Sequence, residues 1–296
     1  MDDATFAMLR TAAGAAFDIG LAGMLGALAT LALLRDTSSD WGARGARRCR
    51  GLFMRANLLA LAAAIAWLVV QSLALSDLPP IAALQGLGGI VGETAFGRSW
   101  GIAALALAGC ALLAHAKRYR PMPVRALGSG LVVVAVAHAD AGHAGANGWT
   151  WLLPTMTVHV LATGLWAGAV FAAVLAVWRG ATPAVDGPRQ ARRLSSLATA
   201  SLLAVAVTGA ASGWHALGGT LAPLAPPRSD WSAALALKLA LVGVAIALGA
   251  FNRFRVMPAL PASGARFARV LRVEAVVLLA VLMAAAWLAN GEPPAV

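Results

Sequence analysis

The chain has 296 residues, 60% of them hydrophobic and only 12% charged, with a mean hydropathy of +0.78. A soluble domain carries about 25% charged residues, so the composition excludes a water-soluble fold and leaves no room for a large soluble appendage. The formal net charge of +11 invites a nucleic-acid partner, but its confinement to alternate loops argues for a membrane protein instead, and no nucleic acid is expected.

Eight apolar segments run in order: Phe6–Leu34, Leu52–Leu75, Trp100–Ala116, Ala126–Ala139, Leu153–Trp178, Leu194–Ser212, Trp231–Phe251 and Val273–Ala289. A bilayer core takes about 20 apolar residues of helix. Six segments meet that length, the third is borderline and the fourth is short, which suits a protein-lined position. The expected fold is therefore all-α: one transmembrane domain over residues 1–296, a bundle of eight transmembrane helices. The first segment follows the acidic Met1-Asp2-Asp3, where a cleavable signal peptide would be basic, so it is read as its own insertion signal. Between the second and third segments, the glycine-rich run Gly86–Gly92 reads as a flexible or re-entrant cap over the outer face, with Glu93 reaching the outer site.

Four stretches hold 19 of the 23 Lys and Arg: Arg35–Arg55, Lys117–Arg125, Arg179–Arg193 and Arg253–Arg272. They follow the first, third, fifth and seventh segments. The positive-inside rule places them in the cytoplasm, with both termini outside, and the same charges suit anionic lipid headgroups.

Ionisable groups at membrane depth are costly and mark function by default. Asp18 lies near the middle of the first segment and Lys238 a third of the way into the seventh. Lys238 is read either as an interface anchor or as the internal partner of Asp18. Glu274 opens the last segment, where the helix dipole favours a carboxylate and Arg253 or Arg272 is within sequence reach. Four of the five histidines belong to the outer half. His138 ends the fourth segment, His143 follows in the next loop, His159 lies two turns into the fifth and His215 follows the sixth. His115 faces the other way. Imidazole is the commonest metal ligand and suits copper, and a thioether suits Cu(I). Met156 and His159 share a helix face. Asp140 lies between His138 and His143. The candidate metal ligands are thus His138, His143, His159, Met156 and His215.

Most tryptophans, Trp41, Trp100, Trp149, Trp151, Trp178, Trp214, Trp231 and Trp287, fall at expected membrane interfaces, where belt anchoring explains them. Trp166 is set deeper, between Gly164 and Gly168, whose GxxxG spacing favours close helix approach. Cys49 and Cys110 have no CxxC spacing, and the first lies in an expected cytoplasmic loop, so no structural disulfide is expected.

Five landmarks resemble the copper resistance D family of bacterial inner-membrane proteins, most clearly over residues 94–290. They are Thr94-Ala-Phe-Gly97-Arg-Ser-Trp100, His138-Ala139, His159 through Trp166 to Gly168, Leu237-Lys238-Leu239 with Asn252-Arg253 through Pro258, and Val273-Glu274-Ala275. Ala137 stands where the family has a glycine. The resemblance implies copper handling at the inner membrane, a periplasmic copper-binding protein of the CopC type as partner, and His138 and His159 as ligands. It also implies copper uptake from the periplasmic side. His143, His215 and Met156 rest on position alone.

Two other functions compete. A b-type cytochrome would hold haem between His138 and His159, but the opposite side offers only His115. A structural or assembly subunit would use the small residues Gly164, Gly168, Gly209 and Gly213 for packing alone. No P-loop, GxSxG or HExxH is present, so no enzymatic activity is expected.

Overall fold

The computed structural model describes residues 3–75, 84–116, 121–142, 150–179, 183–218, 230–260 and 262–291. Its elements there are helices: α1 (Asp3–Leu33), α2 (Asp40–Leu75), α3 (Leu87–Glu93), α4 (Ala95–Ala116), α5 (Val124–Asp140), α6 (Leu152–Ala172), α7 (Asp186–Ala216), α8 (Asp230–Phe251) and α9 (Gly264–Asn290). A π-turn, Ala173–Val177, extends α6, and a π-turn, Asn252–Val256, with a short 3₁₀ turn, Met257–Ala259, extends α8. Seven of these helices are long and apolar enough to cross a membrane. The short fourth segment is a helix too, α5, of 17 residues. It buries Leu127, Leu131, Val134 and Ala135, so protein covers much of its surface.

Three helices start two turns or more before their apolar segments. α2 begins at Asp40, α7 at Asp186 and α9 at Gly264. The added turns are the arginine-rich stretches. Arginine is a good helix former, so a polar stretch leading into an apolar one continues the same helix instead of breaking it. The glycine-rich run before α4 differs from expectation as well: Leu87–Glu93 is a helix with no buried residue. Glu93 is exposed at its end.

α1 is the central post. It packs against α2, α6 and α9 and touches α5 and α7. Glycines permit its closest approaches. A Cβ on Gly168 of α6 would stand 1.8 Å from the Ala22 carbonyl oxygen, and one on Gly26 of α1 would stand 1.9 Å from the Gly168 backbone. Backbone therefore lies on backbone at this crossing, as GxxxG spacing favours. On its other side, a Cβ on Gly20 would meet the Ala56 and Ala60 backbone of α2 at 2.8 Å. Lipid tails are as apolar as leucine, so close packing of this kind, rather than the hydrophobic effect, holds such helices together.

The outer helices are looser. α7 packs on α6 and α8 packs on α9, which leaves a cleft between α7 and α8. Their outward faces show Leu203, Val207, Leu239, Val244 and Phe254, the apolar surface a lipid environment requires. At the arginine-rich end, the Arg193 guanidinium donates to the Leu33 carbonyl at 2.7 Å and to Asp36 at 2.8 Å. Ser39 donates to Asp186 there, and Trp41, Trp178 and Phe267 stack in a chain. Trp41, Trp178, Trp100 and Trp231 are buried, whereas Trp151, Trp214 and Trp287 are exposed. About half of the tryptophans that belt anchoring explained thus serve as internal packing.

Candidate functional site

The Thr94-to-Trp100 landmark builds one wall of the site. The Thr94 hydroxyl accepts the Gly97 N–H at 2.9 Å and so caps the start of α4. Gly97 admits the α3 backbone, since a Cβ there would stand 2.1 Å from the Ile90 carbonyl oxygen. Ser99, one turn on, donates to Asp140 at the end of α5. Trp100 is 1% exposed. It packs edge-on to Phe17 at 4.7 Å between centroids, against Trp67 at 4.9 Å and edge-on to His138 at 5.7 Å.

His138 stands inside this aromatic wall, with the Phe17 ring 4.9 Å away. Its Nε2 lies 3.2 Å from Asp18 Oδ1. A carboxylate only accepts, so Nε2 carries the proton of this bond. The other ring nitrogen, Nδ1, is buried and has no partner among the described residues. Asp18 therefore has its direct partner in His138. Lys238 of α8, the partner considered from the sequence, lies within electrostatic range of both Asp18 and His159 but is not in contact with the carboxylate. α1 carries Asp18, its neighbour α5 brings His138 against the carboxylate, and α8 carries Lys238 within electrostatic range of it.

His159 makes a second, separate arrangement on α6. Its Nδ1 lies 3.0 Å from the Thr208 hydroxyl on α7. That hydroxyl gives its single proton to the Ala204 carbonyl at 2.6 Å, so it accepts from His159 Nδ1–H. The tautomer follows: Nε2 carries the lone pair. Gly209 makes room for the ring, because a Cβ there would stand 3.1 Å from His159 Cε1.

The remaining candidates are scattered. Met156 is half-buried on α6, one turn before His159. His215 is exposed at the end of α7 and stacks edge-on with Trp151 at 5.6 Å. His143 lies outside the described residues, as do Lys117, Arg118 and Arg228. Among the described residues, no group of three or more His, Cys, Asp or Glu side chains stands close enough to hold a metal ion. The half of the bundle away from the arginine-rich end thus holds two oriented imidazoles with different orienting partners. Both cysteines are buried and free.

Glu274 is placed differently from expectation. Because α9 starts at Gly264, Glu274 lies well inside the helix, not in its first turn, and is 4% exposed. Neither expected arginine pairs with it. Arg253 donates instead to the Ser195 and Thr199 hydroxyls of α7, at 3.0 Å each. Arg272 donates to the Ala268 carbonyl of its own helix. Sequence reasoning flagged Asp18, yet it missed Thr208 and Ser99 altogether, because a lone hydroxyl on an apolar helix gives no sign of the side chain it will orient.

No curated protein and no solved structure matches the chain. Two family descriptions do match. One, the N-terminal domain of copper resistance protein D-like proteins, covers residues 1–152, and the other, copper resistance protein D, covers residues 188–288. Between them they take in α1 to α5 and α7 to α9, including Asp18, His138, Lys238 and Glu274, and on that span the chain belongs to the copper resistance protein D family.

Proposed function

We propose that the protein binds copper at the periplasmic end of an eight-helix bundle in the bacterial inner membrane and imports it. The positive-inside rule supports the orientation: the arginine-rich end faces the cytoplasm, both termini face the periplasm, and α5 counts as the eighth span. Copper is the cargo, received from a periplasmic carrier of the CopC type, and the chain performs no covalent chemistry.

One observation carries this reading. Each outer imidazole has one nitrogen bonded to an oxygen acceptor, Asp18 Oδ1 for His138 and Thr208 Oγ1 for His159, and the other nitrogen has its lone pair available. Metal-binding histidines are typically oriented in this way, with a carboxylate or other acceptor fixing the tautomer and raising the ligand's basicity. Two separate stations suit a path better than a storage site, because conduction needs binding strong enough to load and weak enough to release. Met156, one turn before His159 on α6, adds a thioether donor to that station. His215 sits nearest the surface, where capture would begin.

Metal analysis and an absorption spectrum of the purified protein test the reading together. Bound copper is expected, and His138→Ala and His159→Ala are each expected to lower copper content and cellular uptake. A Soret band would support a haem protein instead. Uptake unchanged in both variants would favour a structural subunit.

A further inference from the structure

Outside the two histidine stations, a cavity of about 350 Å³ lies toward the arginine-rich end, walled by α6, α7, α8 and α9. Its walls are mostly apolar, with Trp166 and Val170 on one side and Ala245 and Gly249 on another. Besides Arg253, Ser195 and Thr199, the lining holds Glu274, Asn252 and Met257. Glu274 is 4% exposed and has no hydrogen bond or ion pair with any described residue. Its Oε1 rests against α8, 3.4 Å from where a Cβ on Gly249 would stand. Asn252 is also 4% exposed, and its side-chain oxygen is buried without a partner among the described residues. Met257 adds a thioether.

An unpaired buried carboxylate and an orphaned amide oxygen are each costly, and a fold retains them where something satisfies them. Both lack a donor, so the missing species is a cation or a donor group. The backbone favours the same sign. Asn252 opens the π-turn at the carboxyl end of α8, where the helix dipole is negative, and π-turns of this kind recur at functional sites. Arg253 of the lining is turned to the Ser195 and Thr199 hydroxyls.

We infer that this cavity is an inner cation site, with Glu274 and Asn252 as its oxygen ligands, from which the cargo is released toward the cytoplasm. The inference rests on the copper reading above and extends it by a third station. The donor types set a direction. Imidazole binds copper better than carboxylate or amide oxygen does, so an outer pair of histidines followed by an inner pair of oxygens holds the ion progressively less tightly. Trp166 and Val170 line the route between the two regions on α6. The Asn252-to-Pro258 and Val273-to-Ala275 landmarks meet in this cavity, which gives both a shared task.

The test compares the full-length protein with two variants, Glu274→Gln and Asn252→Ala, in detergent and in liposomes loaded with a copper-sensitive dye. Glu274→Gln keeps the side chain's shape and removes its charge. Both variants are expected to bind copper at the outer stations with wild-type affinity, yet to pass it into the liposome at least tenfold more slowly. Asn252→Ala guards against a packing defect peculiar to Glu274. Wild-type transport in both variants would overturn the inner site while leaving the outer reading intact. A wild-type protein that binds no copper would overturn both.

Discussion

Replacing Gly168 with alanine tests the packing that holds α1 against α6. The new Cβ would begin 1.8 Å from the Ala22 carbonyl oxygen and 2.8 Å from the Gly26 nitrogen. Ordinary carbon contacts lie near 3.5 Å, so the two backbones must part by roughly 1.5 Å. Both sides of the clash are main chain, and no side chain can swing away to relieve it. A gap of even 1 Å forfeits a quarter to half of each dispersion contact across it. The expected cost is therefore at the upper end for overpacking, about 3 kcal/mol. Gly26→Ala meets the same obstacle from the other helix, at 1.9 Å. The pair is expected to be strongly non-additive, because one separation relieves both clashes. Gly109→Ala on α4 and Gly243→Ala on α8 meet nothing within 4 Å and are expected to be neutral or stabilising by up to ~1 kcal/mol. Equilibrium unfolding of the solubilised protein in mixed micelles measures all of these. Equal midpoints for Gly168→Ala and Gly109→Ala, or additive losses for Gly168 and Gly26, would refute the reasoning.

Asp18→Asn removes the charge that orients His138 and keeps the side chain's shape; copper affinity measured by chelator competition should fall about 10- to 100-fold, the usual loss for an orienting partner. Thr208→Val leaves His159 Nδ1 without its acceptor, and copper affinity should fall by a similar factor, with His159→Ala adding little more. The loop between α1 and α2 should respond to pH: Arg193 beside Asp36 holds that carboxyl below the ordinary carboxylate range. The link therefore operates above that range and is lost as pH falls through the lowered value, so amide protection in residues 34–39, measured against the unstructured exchange rate at the same pH, should fall in acid, and in Arg193→Gln that fall should begin at higher pH.

The positions of the long helices were legible because a bilayer imposes one simple demand, a long apolar run, and each of the eight runs is a helix. The helix starts were not legible from the same signal. The runs Asp40–Gly51, Asp186–Arg193 and Gly264–Arg272 are polar, and apolar counting ended where they began, although arginine and alanine continue a helix readily. That shift changed the meaning of Glu274: a residue expected in a solvated first turn is instead deep in α9 and buried. For the site, residue type pointed to His138, His159 and Asp18, since charge or imidazole at membrane depth needs a reason. Pairing was another matter. Asp18 meets His138 and not Lys238 because of the way α5 packs on α1, and no local pattern encodes that packing. The tryptophans show the same limit: Trp100 and Trp287 look alike in sequence, and only the packing of α4 against α1 and α2 makes one of them part of the His138 wall.

The length of α2 has a mechanical consequence. At 36 residues it measures about 54 Å, far more than a hydrocarbon core of about 30 Å. Its first third carries Arg44, Arg47, Arg48 and Arg50. Sliding the helix along its own axis would drag guanidinium groups into hydrocarbon at about 2.5–3.5 kcal/mol each. α2 is thereby pinned in depth, and α1, locked to it through Gly20 and Gly23, is pinned with it. Axial sliding of α1 or α2 is thereby disfavoured, and the sparse contact between α7 and α8 makes tilting there the cheaper movement.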